Sequence, residues 1–246
     1  AKFAFVTTNS ICQGEQVGVL WPALLNNNVE ILFAHKSFKW SNNAKYNAGV
    51  TCVIIGVGNM DNKCPKKIFD NNHSIYVNYI NPYLIPNIRT IVFRSNISPK
   101  GLPKLCFGCM PYDDKKRKHL RLDIFQKDEM IRKYPESEKF IRKIYGSEEY
   151  INGKELYCLW IDDDDIEMAE SIPPIKQRIE ANRNFRLNES ADGQALAEKA
   201  HQFREHPDDM EKIIIPSVSS ENRNYIPIGF LDNKTIVSNA AFALYD

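Results

Sequence analysis

The first 56 residues alternate short apolar runs with one amphipathic helical pattern, and this alternation constrains the fold more than any other feature of the chain. Apolar runs at 3–6 and 29–34 precede Val50-Thr-Cys-Val-Ile-Ile-Gly, the most strongly β-prone run of the sequence. Residues 14–25 predict a helix whose apolar face holds Val17, Leu20, Trp21 and Leu24. Strand, helix, strand, polar loop and strand predict the closing portion of an open α/β sheet, with 3–6 as a buried strand.

The pattern changes after Gly56. From about residue 66 helices and strands stop alternating, and Asn-Pro and Ile-Pro breaks separate short strands. Helical patterns cover 124–133, 135–145, 163–187 and 194–205. Strand patterns cover 74–79, 90–94, 213–218, 225–231 and 235–237. Asn152-Gly153 predicts a hairpin turn between strands at 148–151 and 154–160. We therefore expect two domains, residues 1–65 and an α+β domain over 66–246.

The whole-chain composition is that of a globular protein. The chain is 43% hydrophobic and 26% charged, which is too apolar for a disordered protein. No apolar run reaches the roughly 18 residues of a membrane helix. The sequence begins within a strand pattern, without methionine and without a secretory leader. We expect a piece of a longer cytoplasmic protein with no membrane partner.

Charge is distributed unevenly, although 32 basic and 31 acidic residues leave a net charge of only +1. Residues 34–68 hold six lysines against one aspartate, a local net charge of +5. Residues 94–121 hold eight basic residues against two aspartates, a local net charge of +6. Aromatic side chains are interleaved with both segments, which favours a nucleic-acid partner. The alternative is a plain solvated turn at the basic run Lys115, Lys116, Arg117 and Lys118.

Six cysteines in a chain of 246 residues do not make a disulfide framework. Cys106 and Cys109 have the spacing of half a zinc site, but no second closely spaced pair accompanies them, so no metal is expected. The acidic tract 162–165 is interpreted as a solvated helix start, because acidic residues favour the first turn of a helix.

Two polar segments follow the predicted strands, where open α/β sheets bind their ligands. The first contains Thr8, Asn9, Ser10 and Gln13. The second, a predicted polar loop over 35–47, carries Phe38 and Trp40. For either ring, packing in the protein core is as good an explanation as a role in ligand binding. In a nucleic-acid enzyme one of them would stack on an extruded base. The phosphates would then be held by the lysines and small polar residues nearby, which are Lys36, Ser37, Lys39 and Ser41.

Longer motifs extend along nearly the whole chain. They begin with Thr8-Asn-Ser-Ile-Cys-Gln-Gly-Glu-Gln-Val and Phe33-Ala-His-Lys-Ser-Phe-Lys-Trp-Ser-Asn-Asn-Ala-Lys, followed by the run from Val50. They continue with Asn81-Pro-Tyr-Leu, Gly146-Ser-Glu-Glu-Tyr-Ile-Asn-Gly and Pro216-Ser-Val-Ser-Ser-Glu-Asn-Arg-Asn-Tyr-Ile-Pro-Ile-Gly-Phe-Leu. In this order they resemble the later motifs of the MmeI-type enzymes, which are single-chain restriction–modification proteins.

The resemblance implies a bacterial or archaeal parent enzyme that transfers a methyl group from S-adenosylmethionine to adenine N6 in double-stranded DNA. Residues 1–65 would be the end of its Rossmann-like methyltransferase sheet, and 66–246 its target recognition domain, incomplete at the C-terminus. Phe38 would stack on the flipped adenine, with Trp40 as the rival. Further DNA contacts are implied for Ser219, Ser220, Arg223 and Tyr225, and an arginine there is more often a phosphate contact than a base reader.

Catalytic parts of such an enzyme are missing from the sequence. The Gly-containing cofactor motif and the Asn-Pro-Pro-Tyr or Asn-Pro-Pro-Phe loop are not found, and Asn81-Pro82-Tyr83 is interpreted as a domain-entry turn. We therefore expect no methyl transfer by this chain alone. The cofactor would be held by the methyltransferase half of the parent. Both a parent with a nuclease domain and a parent without one are compatible with this sequence. The alternative is a non-enzymatic nucleic-acid-binding or protein-interaction module that shares this domain.

Overall fold

A computed structural model describes residues 2–40, 49–60, 64–98, 101–220 and 223–245. The chain forms two compact units, Ala1–Asn96 and Ile97–Asp246. Helices and several mixed and antiparallel sheets occur together, which confirms the predicted α+β class at this coarse level. Within the described ranges, no helix is both long enough and apolar enough to cross a membrane.

The first unit is a five-stranded sheet with one long helix. Its elements are β1 Lys2–Thr8, α1 Gly14–Leu25, β2 Val29–Trp40, β3 Val50–Asn59, β4 Lys66–Asp70 and β5 His73–Val77. The strand order is β1-β3-β2-β4-β5. Strand β3 is antiparallel to both β1 and β2, so these two strands run in the same direction and α1 connects them. Strand β4 is parallel to β2, and β5 returns antiparallel to β4.

The helix predicted over 14–25 is confirmed by α1, residue for residue. Val17 and Trp21 are fully buried in the core of the unit, whereas Leu20 is 40% exposed. The buried face is therefore narrower than the sequence pattern indicates. The indole nitrogen of Trp21 donates a hydrogen bond to the carbonyl of Ile11 at 2.7 Å, which ties the segment after β1 to the helix.

The strand expected at 3–6 exists as β1, but the expectation that it is buried is wrong. Phe3 is 55% exposed and Val6 is 52% exposed. Strand β1 lies at the edge of the sheet, where it has β3 as its single neighbour. An apolar run predicts a strand, but its place in the strand order depends on long-range pairing that the local sequence does not contain.

The first sheet continues beyond residue 65. Strand β4 pairs with β2 through Phe33–Lys67, Ala34–Ile68 and His35–Phe69. The buried ammonium group of Lys66 also pairs with the carboxylate of Glu30 at 3.1 Å, across the same two strands. Residues 66–77 are thus part of this sheet, and the compact units divide at Asn96. The functional domains 1–65 and 66–246 stay a prediction.

The second unit contains two four-stranded sheets with helices between their strands. Its strands are β6 Cys106–Phe107, β7 Arg121–Leu122, β8 Ile141–Tyr145, β9 Tyr157–Leu159, β10 Lys212–Pro216, β11 Gly229–Leu231, β12 Ile236–Val237 and β13 Ala241–Tyr245. Its helices are α2 Ile124–Lys133, α3 Ser147–Asn152, α4 Ile166–Glu170, α5 Pro173–Leu187 and α6 Ala191–Ala195. The sheets have the orders β12-β8-β9-β7 and β11-β10-β13-β6.

Several predicted elements of this unit differ from the structure. Residues 135–145 form a short 3₁₀ helix, Pro135–Phe140, followed by β8. The hairpin at Asn152-Gly153 is wrong, because Asn152 ends α3 and Gly153, at φ +63°, terminates that helix in the left-handed conformation. The helix expected over 163–187 is divided into a 3₁₀ turn, α4 and α5. The strand expected at 90–94 is irregular chain.

A buried arginine holds the centre of the second unit. Arg186 of α5 has no exposed surface. Its guanidinium donates five hydrogen bonds between 2.7 and 3.0 Å to the backbone carbonyls of Pro111, Tyr112, Leu196, Lys199 and Gln202. Burial lowers the pKa of Arg186 to about 10. One side chain therefore joins α5 to two irregular segments and supplies donors to their carbonyl groups, of which that of Lys199 also accepts the backbone N–H of Gln202.

Candidate nucleic-acid interface

Two of the predicted site segments meet at one end of the first sheet. Cys52 of β3 pairs with Thr8 of β1 on one side and with Phe38 of β2 on the other. Directly paired residues of antiparallel strands point to the same face. Thr8 and Phe38 therefore flank Cys52. Their face is opposite to that of Val53, the next residue of β3, which is fully buried in the core.

A hydrogen bond joins the same two segments. After β1 the chain enters a 3₁₀ helix, Asn9–Cys12. The side-chain amide of Asn9 donates to the hydroxyl of Ser37 at 3.4 Å, and the hydroxyls of Thr8 and Ser10 lie 2.8 Å apart. Gln13 is exposed at the start of α1. The structure thus brings together predicted residues that are far apart in sequence.

The predicted loop over 35–47 is wrong for its first part, because β2 continues through Trp40. A register shift between His35 and Phe38 marks a bulge in the β2–β3 ladder. A bulge changes the direction of the following side chains. Phe38 is half-buried, Trp40 is 48% exposed, and their ring centroids are 6.5 Å apart at an interplanar angle of 49°. Ser41 lies outside the described residues.

The lysines of this segment differ in their surroundings. Lys36 pairs with Asp70 of β4 at 2.9 Å, and both side chains are about half exposed. Lys66 is buried against Glu30. Lys39 is exposed and pairs with Thr51 in the ladder, so its side chain points to the face opposite that of Phe38. The segment charge of +5 therefore overstates the positive charge available to a phosphate.

The basic run in the second unit forms an ordered turn. The Asp114 carboxylate accepts the backbone N–H groups of Lys116 at 2.7 Å and Arg117 at 2.8 Å, and these hydrogen bonds lower its pKa. Lys118 closes the turn at φ +50°. The guanidinium of Arg178 donates to the carbonyls of Lys118, His119 and Arg121. The exposed side chains Lys115, Lys116, Arg117 and Lys118 are thus presented on a fixed backbone.

The remaining predicted DNA contacts lie on the connection between β10 and β11. Ser219, Ser220, Arg223 and Tyr225 are all exposed, and Tyr225 is 87% exposed. The backbone N–H of Arg223 donates to the carbonyl of Ser220 at 3.0 Å. The described part of this connection therefore faces solvent, and it presents the Arg223 guanidinium and the Tyr225 ring together with exposed apolar side chains such as Ile226.

The cysteine pair does not have the environment of a metal site. Cys109 is buried with its sulfur 4.0 Å from the Tyr245 hydroxyl, and burial raises the pKa of its thiol to about 11. A metal ligand is the thiolate, which this environment disfavours. Among the described residues, no group of three or more His, Cys, Asp or Glu side chains is placed to hold a metal. The acidic tract forms a 3₁₀ turn before α4, and Asp163 pairs with Lys199 and His201.

The Asn81 side chain stabilises a turn, in agreement with the interpretation of Asn81-Pro82-Tyr83 as a domain-entry turn. Its side-chain oxygen accepts the backbone N–H groups of Tyr83 at 3.0 Å and Ile85 at 2.9 Å. The side chain is fully buried, and Leu84 follows at φ +59°. The amide oxygen that would grip a substrate amino group is thus already engaged within the turn.

Comparison with known proteins assigns the chain to a family. A model of the MmeI target recognition domain matches residues 86–246, which is more than half of the chain. A model of the MmeI DNA-methyltransferase domain matches residues 1–70. The chain belongs to the MmeI family.

Relatives of this MmeI-family chain are considerably longer. DNA methyltransferase A of Bacillus subtilis is 42% identical over 248 residues, which is all of this chain but 28% of the relative. A solved structure of the type IIL restriction–modification enzyme MmeI in complex with DNA is 37% identical, with a TM-score of 0.79. The alignment with that structure covers all of this chain and 33% of the MmeI chain.

Two residues that contact the candidate site residues of this MmeI-family chain have no signal in the local sequence. Asp70 neutralises Lys36, and Arg178 anchors the basic turn. Asp70 is 34 residues from Lys36, and Arg178 is 59 residues from His119. No local pattern of the sequence indicates either contact, because both depend on strand pairing and helix packing.

Proposed function

We propose that the chain is the DNA-recognition part of a site-specific adenine-N6 DNA methyltransferase of a restriction–modification system. The observation that carries this proposal is the meeting of Thr8, Asn9 and Phe38 at one sheet end, within the segment matched by the MmeI methyltransferase model. The target recognition model over 86–246 supports a DNA-reading role for the second unit. The proposed partner is double-stranded DNA.

Phe38 is the proposed stacking ring for the flipped adenine, and Trp40 is its rival. Phe38 is half-buried beside Cys52, and this burial restricts the rotamers of its ring. Trp40 is more exposed and lies at the end of β2. A held ring loses less conformational entropy when a base stacks on it. Stacking of this kind contributes about 1–3 kcal/mol per base.

The proposed phosphate contacts come from exposed residues. They are Lys39 in the first unit, the turn Lys115, Lys116, Arg117 and Lys118, and Arg223 with its neighbours Ser219, Ser220 and Tyr225. Phosphate contacts fix the register of a protein on DNA and dominate the salt dependence of its affinity. Lys36 contributes less than its charge indicates, because Asp70 pairs with it.

S-adenosylmethionine is assigned to the parent enzyme rather than to the described residues. The turn after β1 offers the neutral side chains Thr8, Asn9 and Ser10, while Glu15 of α1 is paired with Arg94. A cofactor with an ammonium group and ribose hydroxyls calls for a free carboxylate, so this turn alone does not fit it. Cofactor binding would need the rest of the methyltransferase half, in a parent that has or lacks a nuclease and acts in the cytoplasm.

The test uses the 246-residue chain and its full-length parent. Binding of the chain to duplex DNA should weaken steeply with salt, and Arg117→Ala should reduce the slope by about 0.9 if one phosphate contact is lost. Lys176→Ala, which removes an exposed lysine from α5, is the matched control and should leave the slope unchanged. The parent should protect one DNA sequence by adenine methylation. A parent that binds DNA without methylating it would instead support the non-enzymatic module.

A further inference from the structure

One sheet of the second unit is apolar on both faces. Strand β10 contains Ile213-Ile214-Ile215, and β13 is Ala241–Tyr245. A solvated antiparallel sheet alternates apolar and polar side chains, whereas continuous apolar runs are typical of strands that are covered on both faces. The composition of these two central strands therefore calls for two covering layers.

The strand register shows which side chains form each face. Ile213 pairs with Phe230 and with Leu244, while Phe242 pairs with Ile215 and with Phe107. Paired residues share a face, as do residues two apart in a strand. The outer face therefore consists of two apolar rows across the four strands, which are Phe230–Ile213–Leu244 and Ile215–Phe242–Phe107.

The inner face is covered by this unit's own core. Ile214, Ala241 and Ala243 are fully buried there with Val237. The Tyr150 side chain packs against Gly229, where an added Cβ atom would lie 1.8 Å from the Tyr150 hydroxyl. The outer face is open by comparison. Phe230 is 87% exposed and Phe107 is 65% exposed. The ring centroids of Phe107 and Phe242 are 4.8 Å apart.

We propose that this outer face, the six-residue apolar sheet face, is covered by a segment of the parent polypeptide outside residues 1–246. The inference rests on one element of the proposed function, namely that the chain is part of a longer enzyme. Most of each relative lies outside the matched region, since the chain spans 28% of one relative and 33% of the other, and a parent of similar length has enough additional chain for such a layer.

The chemistry of the face argues against DNA and against a transient protein partner. None of the six side chains carries a charge, whereas protein–DNA interfaces are polar and strongly basic. Transient protein interfaces are about as polar as the rest of the surface, and permanent ones resemble a domain core cut in half. A permanently attached layer of the same polypeptide, itself apolar, fits a face of this composition.

The decisive experiment places the photo-cross-linker p-benzoylphenylalanine at position 230 of the full-length parent. We expect a cross-link within one molecule to a peptide outside residues 1–246. A cross-link between two copies, or one confined to residues 1–246, would overturn the proposal. Adenine methylation is assayed on the same sample, so that loss of the proposed function and loss of the proposed layer are separate results.

A stability comparison gives a second readout. Phe230→Ser should lower the melting temperature of the parent but leave that of the 246-residue chain unchanged, because only the parent buries the ring. Phe125→Ser is the matched control, since Phe125 is 81% exposed on α2 and is not one of the residues of the six-residue apolar sheet face. Equal effects of Phe230→Ser on both proteins would contradict the proposal.

Discussion

The side-chain amide of Asn9 donates a hydrogen bond to the hydroxyl of Ser37 at 3.4 Å, across 28 positions of sequence. This contact joins the turn after β1 to the strand that carries Phe38. Together with the shared pairing of Thr8 and Phe38 to Cys52, it gathers two polar segments at one sheet end. The candidate site therefore depends on the pairing of three strands.

Replacement of Phe38 tests the proposed stacking ring. In the full-length parent, Phe38→Ala should weaken binding of the extruded adenine by roughly 5- to 150-fold, since a stacked base contributes about 1–3 kcal/mol. Cofactor affinity should not change. The measurement is the fluorescence of 2-aminopurine at the target position of the DNA. If Trp40→Ala alone produces this loss, the ring has been assigned to the wrong residue.

Removal of the Asp70 charge tests whether Lys36 is held back from DNA. Asp70→Asn should raise DNA affinity of the 246-residue chain about threefold and steepen its salt dependence by up to about 0.9, because a released lysine adds one phosphate contact. Loss of the exposed Lys36–Asp70 pair should cost little stability, about 0–1 kcal/mol. Asp208→Asn, at an exposed site, is the charge-matched control. An equal gain in both variants would mean that only net charge matters.

Replacement of Arg186 tests its role as the central donor of the second unit. Arg186→Leu should destabilise the protein by about 3–5 kcal/mol, since several buried carbonyls lose their donors at about 1–3 kcal/mol each. Arg183→Leu, on the same helix but 41% exposed and 3.9 Å from Glu170, should cost less than about 1 kcal/mol. Urea unfolding measures both. Similar midpoints for the two variants would refute the role of Arg186.

The protein should lose stability between pH 7 and pH 5. Burial lowers the pKa of His201, with the Asp163 carboxylate opposing this shift, and burial also lowers the pKa of His119. The unfolded chain therefore binds protons near pH 6.5 that the folded chain does not bind, and acid favours unfolding.

Replacement of His201 tests which group causes this pH dependence. His201→Gln should flatten the change in unfolding free energy between pH 7 and pH 5, whereas His73→Gln, at an exposed position of β5, should leave it as in the natural chain. Urea unfolding at pH 5, 6 and 7 gives the comparison. An unchanged slope in His201→Gln would show that other groups cause it.

Elements with complete local signals are predictable from the sequence of this MmeI-family chain. Helices α1 and α2 coincide with the patterns over 14–25 and 124–133. Asp123 caps the N-terminus of α2, because its carboxylate accepts the backbone N–H of Gln126 at 2.8 Å. Periodicity and caps lie within a few residues of one another, so a linear pattern contains them. The motifs that resemble MmeI were likewise readable without a structure.

Other features were decided by tertiary structure. Asn152-Gly153 is compatible with a hairpin and with a helix end, and the structure has the helix end, with Tyr150 of α3 packed against the core cluster that contains Ile214. The run at 3–6 became an exposed edge strand because its place in the strand order depends on pairing with β3. Long-range contacts likewise join Lys36 to Asp70 and Arg186 to five carbonyls.

The sequence by itself determined the family, the strongest helices, and the residue types available for DNA. Tertiary structure decided which of those residues meet, which lysines are already neutralised, and which apolar sheet face remains open. The physical reason is the range of the interactions. Helix periodicity and capping act over a few residues, whereas strand order, salt bridges between strands and burial depend on residues tens of positions apart.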